Sequence, residues 1–169
     1  EFDVLITDNT ISKDNKLPQE ILDIIPDKCK IIYDMNNDYG CINKGSGVIE
    51  QWNYNKDFFK NYEWLIYFEP RQLLQTNNFI NRFLEGPRNL FTIGNEQNHF
   101  NTGLFCIEVK ILLNYIKEVS PKSLIDKNEG IEYSIYNYFI RNDIKFDTIN
   151  KMELIWYDVM DMHNPFRIM

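Results

Sequence analysis

A carboxylate and a guanidinium follow the most apolar segment of the chain. Glu69-Pro70-Arg71 comes directly after Trp64 to Phe68, where every residue is apolar, as in a strand covered on both faces. A guanidinium cannot ligate a metal, but it binds phosphate oxygens in bidentate fashion. Two interpretations are open: Arg71 binds an anionic ligand, or Glu69 and Arg71 form an ion pair or a helix N-cap while Pro70 ends the strand.

A second candidate anion site is the segment Asn43-Lys44-Gly45-Ser46-Gly47, which precedes a predicted helix. Its two glycines and its serine allow close backbone approach and present amide hydrogens to an anion at the helix start. Lys44 adds a positive charge. The order of a Walker A loop, G-x-x-x-x-G-K-[ST], is missing, so an ordinary loop is the alternative.

Polar residues also follow or precede other predicted strands. Asp8 and Asn9 end one strand, where Asp8 either contacts a ligand or forms an Asx-turn. Asp38 lies in the loop after the next strand. The run Asn101-Thr102-Gly103 leads into a further apolar strand, where Gly103 either permits close approach of a ligand or serves as a turn glycine.

Two histidines and one tryptophan complete the set of candidate residues. We expect His99 to be a surface or loop-bonded histidine. Trp156 lies in the C-terminal segment WYDVMDMHNPF, where an aromatic ring suits stacking against a sugar. Asp161 and His163 in the same segment are too few to define a metal site, and a solvated tail is the alternative.

The elements that must position these residues alternate between strands and helices. Predicted strands are Asp3 to Thr7, Lys30 to Tyr33, Trp64 to Phe68 and Leu104 to Ile107. Five helices are predicted. The first begins at Pro18 and ends before Pro26, the second contains Val48, Ile49 and Trp52, and the third contains Leu73, Leu74, Ile80, Phe83 and Leu84. The fourth contains Ile111 to Val119, and the fifth contains Ile131 to Arg141. This alternation predicts an α/β fold, a three-layer α/β/α arrangement around a mixed, mostly parallel central sheet, with ligands at the carboxyl ends of its strands.

In their order along the chain, five segments resemble motifs of GT-A-fold glycosyltransferases, especially the large inverting family 2. The segments are DVLITDNTISKD, CKIIYDMNNDYGCINKGSG, NYEWLIYFEPR, FNTGLFCI and EGIEYSIYNYFIRNDIKF. They are similar, in turn, to a strand ending in DNGSxD, a strand followed by N-x-G, a strand ending in Asp-x-Asp, an N-x-G strand beside the acceptor, and an E-D helix. The resemblance extends over most of the chain.

The resemblance implies transfer of a sugar from a nucleotide-sugar donor to a hydroxyl of a glycan or a lipid-linked acceptor, in surface polysaccharide synthesis. Glu132 falls on the family's catalytic acid-base pair and would deprotonate the acceptor hydroxyl, with an exposed helix charge as the alternative. The other implied roles are nucleoside or diphosphate binding by Asp8, Asn9, Asp38, Lys44, Glu69 and Arg71, and acceptor or sugar binding by Asn101, Thr102, Gly103 and Trp156.

Three departures from the family pattern change what we expect. Arg71 occupies the second Asp of Asp-x-Asp, a metal ligand in the family, so we expect diphosphate binding without Mg²⁺ or Mn²⁺ and no metal site. Tyr133 occupies the position of the second catalytic carboxylate. The family's first strand was either lost upstream of Glu1 or replaced by DVLIT.

A degenerate, non-catalytic domain that binds nucleotide or carbohydrate therefore remains an alternative, as does a structural domain that forms homo-oligomer contacts.

Composition limits the remaining possibilities. The 169 residues, 44 % of them apolar, fit one domain over residues 1–169. A net charge of −7 argues against nucleic acid as a partner.

The apolar runs are far shorter than the roughly 20 residues of a membrane span, and no signal peptide is visible. Three cysteines without a C-x-x-C pattern favour a reducing compartment, so we expect a cytoplasmic protein.

Overall fold

The computed structural model describes residues 2–10, 17–33, 36–69, 72–93, 98–150, 153–157 and 166–168. Helices and strands are mixed along these ranges, which confirms the α/β class. In chain order they are β1 (Leu5–Asp8), α1 (Gln19–Leu22), β2 (Lys30–Tyr33), α2 (Lys44–Phe59), β3 (Trp64–Phe68), β4 (Gln72–Leu74), α3 (Asn78–Leu84), β5 (Leu90–Ile93), β6 (Phe100–Glu108), α4 (Val109–Glu118), α5 (Pro121–Lys127), α6 (Ile131–Arg141), β7 (Asp147–Thr148), β8 (Leu154–Tyr157) and β9 (Phe166–Ile168).

The chain divides into two compact units. The first unit comprises Glu1–Phe58 and Val119–Gly130, and the second comprises Phe59–Glu118 and Ile131–Met169. No helix within the described ranges combines enough length and apolar character to cross a bilayer.

The first unit contains the predicted strand-helix-strand arrangement. β1 and β2 pair in parallel, from Leu5 opposite Lys30 to Asp8 opposite Tyr33. The helix between them is shorter than predicted, because α1 ends at Leu22. Its predicted apolar face is only partly covered, since no residue of α1 is fully buried and Ile24 beyond it is 78 % exposed.

Helix α5 of the first unit was not predicted, although its end residues are typical of a short helix. The side chain of Ser120 accepts a hydrogen bond from the backbone amide of Ser123, and Pro121 is the first helical residue. Asn128 ends the helix in the left-handed conformation, with φ at 51°.

The second unit contains two sheets, and antiparallel pairing dominates both. One sheet has the strand order β3-β6-β5-β7, and the other has the order β4-β8-β9. Among the described strands of these two sheets, β5 and β7 alone pair in parallel. The prediction of a mostly parallel sheet was therefore wrong for this unit. Its strands β5 and β6 are separated by only six residues, fewer than the dozen or more that a crossover between parallel strands needs.

Strand β3 has the predicted bounds, but its surroundings differ from the prediction. Among the described strands it lies at the edge of its sheet, beside β6 alone. Its residues are half-buried up to Tyr67, and Phe68 is 39 % exposed. An apolar run of this length does not distinguish an edge strand from a central one, so the expectation of a strand covered on both faces was wrong.

The residues after Arg71 form a strand rather than the predicted helix. Gln72, Leu73 and Leu74 are β4, which pairs antiparallel with β8. Helix α3 begins only at Asn78, so it contains the later residues of the predicted helix and not the two leucines. Pairing with a distant strand here overrides the local helical spacing.

Aromatic side chains fill the core of the second unit. The ring of Phe91 in β5 stacks on Phe100 in β6 with a centroid distance of 3.9 Å, and Phe139 of α6 meets Phe91 edge-on at 5.2 Å. Helix α6 has the predicted bounds, and its buried residues repeat at helical spacing. This packing fixes the first turn of α6, which contains Glu132, relative to β6.

Candidate functional site

Asp8 stands at the end of β1, as predicted, and forms a local turn. Its Oδ1 accepts hydrogen bonds from the backbone amide and the hydroxyl of Thr10, both at 2.6 Å. These bonds confirm the Asx-turn that the sequence left open. Contact of Asp8 with a nucleoside stays a prediction, which would have to use the oxygen that does not accept from Thr10.

Asn9 uses its side-chain amide within the first unit. Its Nδ2 donates to Oδ1 of Asn37 at 3.2 Å and to the backbone carbonyl of Gly47 at 3.1 Å. An amide nitrogen has two hydrogens, so both are already engaged. Asn9 therefore connects the end of β1 to the first turn of α2, and only its Oδ1 remains for the predicted ligand.

The segment from Asn43 to Gly47 is the beginning of α2 and not a loop before it, which corrects the prediction. Asn43 is the residue before the helix, and its Oδ1 accepts from the amide of Ser46 at 3.1 Å. The amides of Ser46 and Gly47 also point to the Asn43 carbonyl. Residues 45–47 are buried, whereas Lys44 is exposed. Asn43 therefore occupies the position that we expected an anion to take, while Lys44 remains available as a charge.

Asp38 acts on a neighbouring carboxylate. Glu50 of α2 accepts a hydrogen bond from the amide of Tyr39 at 3.1 Å. Burial raises the pKa of Glu50 above its ordinary value, and the negative charge of Asp38 adds to this rise. Hydrogen bonds from the amides of Tyr39 and Gly40 lower the pKa in part. Asp38 in the loop and Glu50 in α2 are thus two carboxylates that repel each other.

In the second unit, Glu69 is fixed at the end of β3 by β6. Its backbone amide donates to the carbonyl of Gly103 at 2.8 Å. Its Oε2 accepts from Nε2 of Gln72 at 3.4 Å. Pro70 and Arg71 lie outside the described residues, so the choice between anion binding and an ion pair of Arg71 with Glu69 stays open.

Gln72 belongs to this group, although the sequence analysis did not identify it. It is only 4 % exposed, and its Oε1 has no hydrogen-bond partner among the described residues. An unpaired buried acceptor costs about 1–3 kcal/mol, so such a group calls for an explanation. No local pattern in the sequence indicates this burial, because it depends on the pairing of β4 with the distant strand β8.

Gly103 permits this close packing. A Cβ atom at residue 103 would lie 2.0 Å from Nε2 of Gln72, far inside van der Waals contact. Gly103 is buried, so in the described structure it approaches a protein side chain. The predicted approach of a sugar ring to Gly103 therefore stays a prediction.

Glu132 lies in the first turn of α6 and contacts Thr102, one of the predicted acceptor residues. The hydroxyl of Thr102 donates to its Oε1 at 3.2 Å. Oδ1 of Asn101 accepts a hydrogen bond from the amide of Gly103 at 3.0 Å. Thr102 thus binds the carboxylate of Glu132, while the carbonyl of the next residue, Gly103, binds the backbone amide of Glu69.

His99 lies beside the candidate site, against Tyr133. The two rings are 4.8 Å apart between centroids and tilted by 36°. Nδ1 of His99 is buried without a hydrogen-bond partner among the described residues. Tyr133, which occupies the place of a second carboxylate in the resembled family, thus contributes an aromatic surface next to Glu132.

The predicted site residues therefore form separate groups. In the second unit, the residues that lie together are Glu69, Asn101, Thr102, Gly103 and Glu132, with Gln72 added. The backbone of Trp156 lies opposite Gln72 in the antiparallel pair of β8 and β4, and its side chain is outside the described part. Among the described residues, no three histidine, cysteine, aspartate or glutamate side chains are grouped as ligands for a metal ion.

No protein-family model matches this chain, and no curated protein sequence is significantly similar to it. The function of the chain therefore has to be inferred from its residues and their arrangement.

Proposed function

We propose that this chain is a nucleotide-sugar-dependent glycosyltransferase of the GT-A type, with the three-layer arrangement of that fold. The observation that supports the proposal most is that Glu69, through its backbone amide, and Glu132, through its carboxylate, both bind adjacent residues of β6. The amide of Glu69 binds the Gly103 carbonyl, and the carboxylate of Glu132 accepts from Thr102. Inverting transfer requires a site for the leaving group and a base for the attacking hydroxyl near one reacting carbon.

Glu132 is the proposed general base. Its carboxylate takes the proton of an acceptor hydroxyl while that oxygen forms a bond to the anomeric carbon of the donor sugar. The bond from this carbon to the nucleoside diphosphate breaks, and the diphosphate oxygen keeps the electron pair. The configuration at the carbon is inverted. The hydrogen bond from Thr102 orients the carboxylate for this step.

The proposed binding group for the departing diphosphate is the side chain of Arg71. Arg71 follows Glu69 and Pro70 in sequence, and a guanidinium supplies positive charge and two parallel hydrogen bonds to phosphate oxygens. It replaces the charge that a divalent ion supplies in the resembled family. We also propose that the transfer takes place in the cytoplasm, in the synthesis of a surface polysaccharide.

A second candidate function is binding of a nucleotide or carbohydrate without turnover. One observation favours it: Tyr133, which packs on His99, occupies the place of a second carboxylate in the resembled family. This candidate predicts the same ligands and no transfer, so activity measurements separate the two.

The test is a screen of UDP-, GDP- and dTDP-sugars for thermal stabilisation and for release of nucleoside diphosphate. We expect stabilisation by at least one donor and release that EDTA does not abolish. Glu132→Gln should reduce release by about 10²-fold or more and leave donor binding intact. Glu85→Gln is the matched control, because Glu85 is an exposed carboxylate in the same unit.

Three results would count against the proposal. Absence of stabilisation by every donor would contradict both candidate functions. Binding without release by the wild type would favour the non-catalytic candidate. Strict dependence on Mn²⁺ would contradict the role given to Arg71.

A further inference from the structure

The short strand β4 has its polarity reversed. Gln72 is 4 % exposed, whereas its neighbours Leu73 and Leu74 are 64 % and 38 % exposed. A strand gains stability by burying its apolar side chains and leaving its amide in water. Burial of the amide in preference to two leucines therefore indicates a role for Gln72 other than stability.

The backbone of β6 provides the space for this amide. Nε2, Cδ and Oε1 of Gln72 would lie 2.0, 2.8 and 2.8 Å from a Cβ atom at residue 103. Glycine at this position is therefore required for the observed placement of Gln72. The amide of Glu69 binds the carbonyl of the same Gly103, so the three residues form one packed group.

The two ends of the Gln72 amide have different surroundings. Nε2 donates to the carboxylate of Glu69, and Oε1 has no hydrogen-bond partner among the described residues. The arrangement orients one acidic side chain and leaves one acceptor for a donor group. A hydroxyl group is the simplest such donor, and a sugar offers several.

We propose that Gln72 is a specificity-determining residue for the transferred sugar. Its Nε2 holds the carboxylate of Glu69 in place, and its Oε1 accepts a hydrogen bond from a hydroxyl of the donor sugar. The inference rests on the proposed glycosyltransferase function and adds the group that distinguishes a nucleotide sugar from the free nucleotide.

The experiment compares affinities for UDP-glucose, GDP-mannose and dTDP-glucose with those for UDP, GDP and dTDP by isothermal titration calorimetry. The variant is Gln72→Met, which keeps the length of the side chain and removes both polar atoms. We expect affinity for the nucleotide sugar to fall about tenfold, the range of a hydrogen bond that is left unmade, while affinity for the free nucleotide stays within about twofold.

Two further variants make the test specific. Leu73→Met introduces the same residue one position later, at an exposed site, and should change neither affinity. Gly103→Ala should reproduce the loss seen with Gln72→Met, because its Cβ displaces the amide. In the Gln72→Met background it should add little, since the displaced group is already absent.

Thermal unfolding separates this role from a structural one. Gln72→Met removes a buried acceptor without a partner, so we expect the melting temperature to stay the same or rise while sugar affinity falls. A lower melting temperature with equal losses for nucleotide and nucleotide sugar would overturn the inference, as would unchanged affinities for both. If the wild type binds no nucleotide and no nucleotide sugar, the proposed function itself fails, which is a different result.

Discussion

The hydroxyl of Thr102 donates to Oε1 of Glu132 over 3.2 Å, so a strand residue fixes a carboxylate in the first turn of α6. This bond restrains the side-chain torsions of Glu132, because α6 itself is held by buried residues such as Ile135 and Phe139. The carboxylate therefore has a defined direction before any substrate binds, which is the condition for efficient proton transfer.

On the proposed general-base role of Glu132, Thr102→Val should reduce turnover more than donor binding. The substitution keeps the shape of the side chain and removes the hydroxyl. We expect kcat to fall about tenfold, which corresponds to ~1.4 kcal/mol, with the donor KM little changed. Thr102→Ser keeps the hydroxyl and should retain most of the rate. Steady-state kinetics with the best donor from the screen measures both variants, and an unchanged kcat for the valine variant would refute the positioning role.

A close contact between two glycines predicts a stability effect in the first unit. A Cβ atom at Gly47 would lie 2.8 Å from Cα of Gly40 and 2.9 Å from Oδ1 of Asn37. Alanine normally favours a helix over glycine, yet here we expect Gly47→Ala to destabilise the fold by about 1–3 kcal/mol, because backbone has to move.

Gly86→Ala is the matched control for this effect. A Cβ atom at Gly86 would meet nothing within 4 Å, and its φ is not positive. In the control variant the free energy of unfolding should stay the same or rise by up to about 1 kcal/mol, because alanine restricts the unfolded chain more than glycine does. Chemical denaturation of the wild type and the two variants measures their free energies of unfolding. Equal values for the two variants would show that the backbone at Gly40 moves aside at little cost.

The cysteines should differ in reactivity according to burial. Burial raises the pKa of the Cys106 thiol to about 12, whereas Cys41 is exposed. The thiolate is the reactive form, so at pH 8 iodoacetamide should label Cys41 and leave Cys106 unmodified in the folded protein. Mass spectrometry of peptides after labelling reads out each site, and labelling in denaturant provides the control in which Cys106 also reacts. Labelling of both at similar rates without denaturant would contradict the burial of Cys106.

The sequence predicted those elements whose pattern is local. β2, β3 and α6 have the predicted bounds, because a β-branched or aromatic run and a helical repeat of apolar residues are both visible in one segment. The Asx-turn at Asp8 was one of two interpretations, and it depends only on Thr10 two residues later. Such features require no knowledge of distant residues.

The features that the sequence did not predict depend on pairings between segments far apart in the chain. β4 exists because it pairs with β8, and the apolar run of β3 carries no information on whether a second strand flanks it. The group of Glu69, Gln72 and Gly103 likewise depends on where β6 passes β3 and β4. The sequence therefore identified Glu69 and Gly103 as candidates separately, but it did not predict that they bind each other.

Stability should depend on pH through Glu50. Burial first, and the charge of Asp38 second, raise the pKa of this carboxyl above its ordinary value of 4.5. A raised pKa in the folded state means that the folded protein binds the proton more tightly than the unfolded chain does. Below pH 4.5 Glu50 is protonated in both states and carries no penalty. As pH rises through the folded pKa, the buried charge appears and stability is lost.

Glu50→Gln should therefore raise the melting temperature at pH 7, because its side-chain carbonyl still accepts the amide of Tyr39 and no charge is buried. The difference from wild type should shrink as pH falls toward 4 and then vanish. Asp38→Asn is the control: it removes only the secondary cause, so we expect a smaller increase over the same pH range. Thermal melts from pH 4 to 8 measure these differences, and a melting-temperature difference for Glu50→Gln that is constant with pH would show that the Glu50 charge is not its origin.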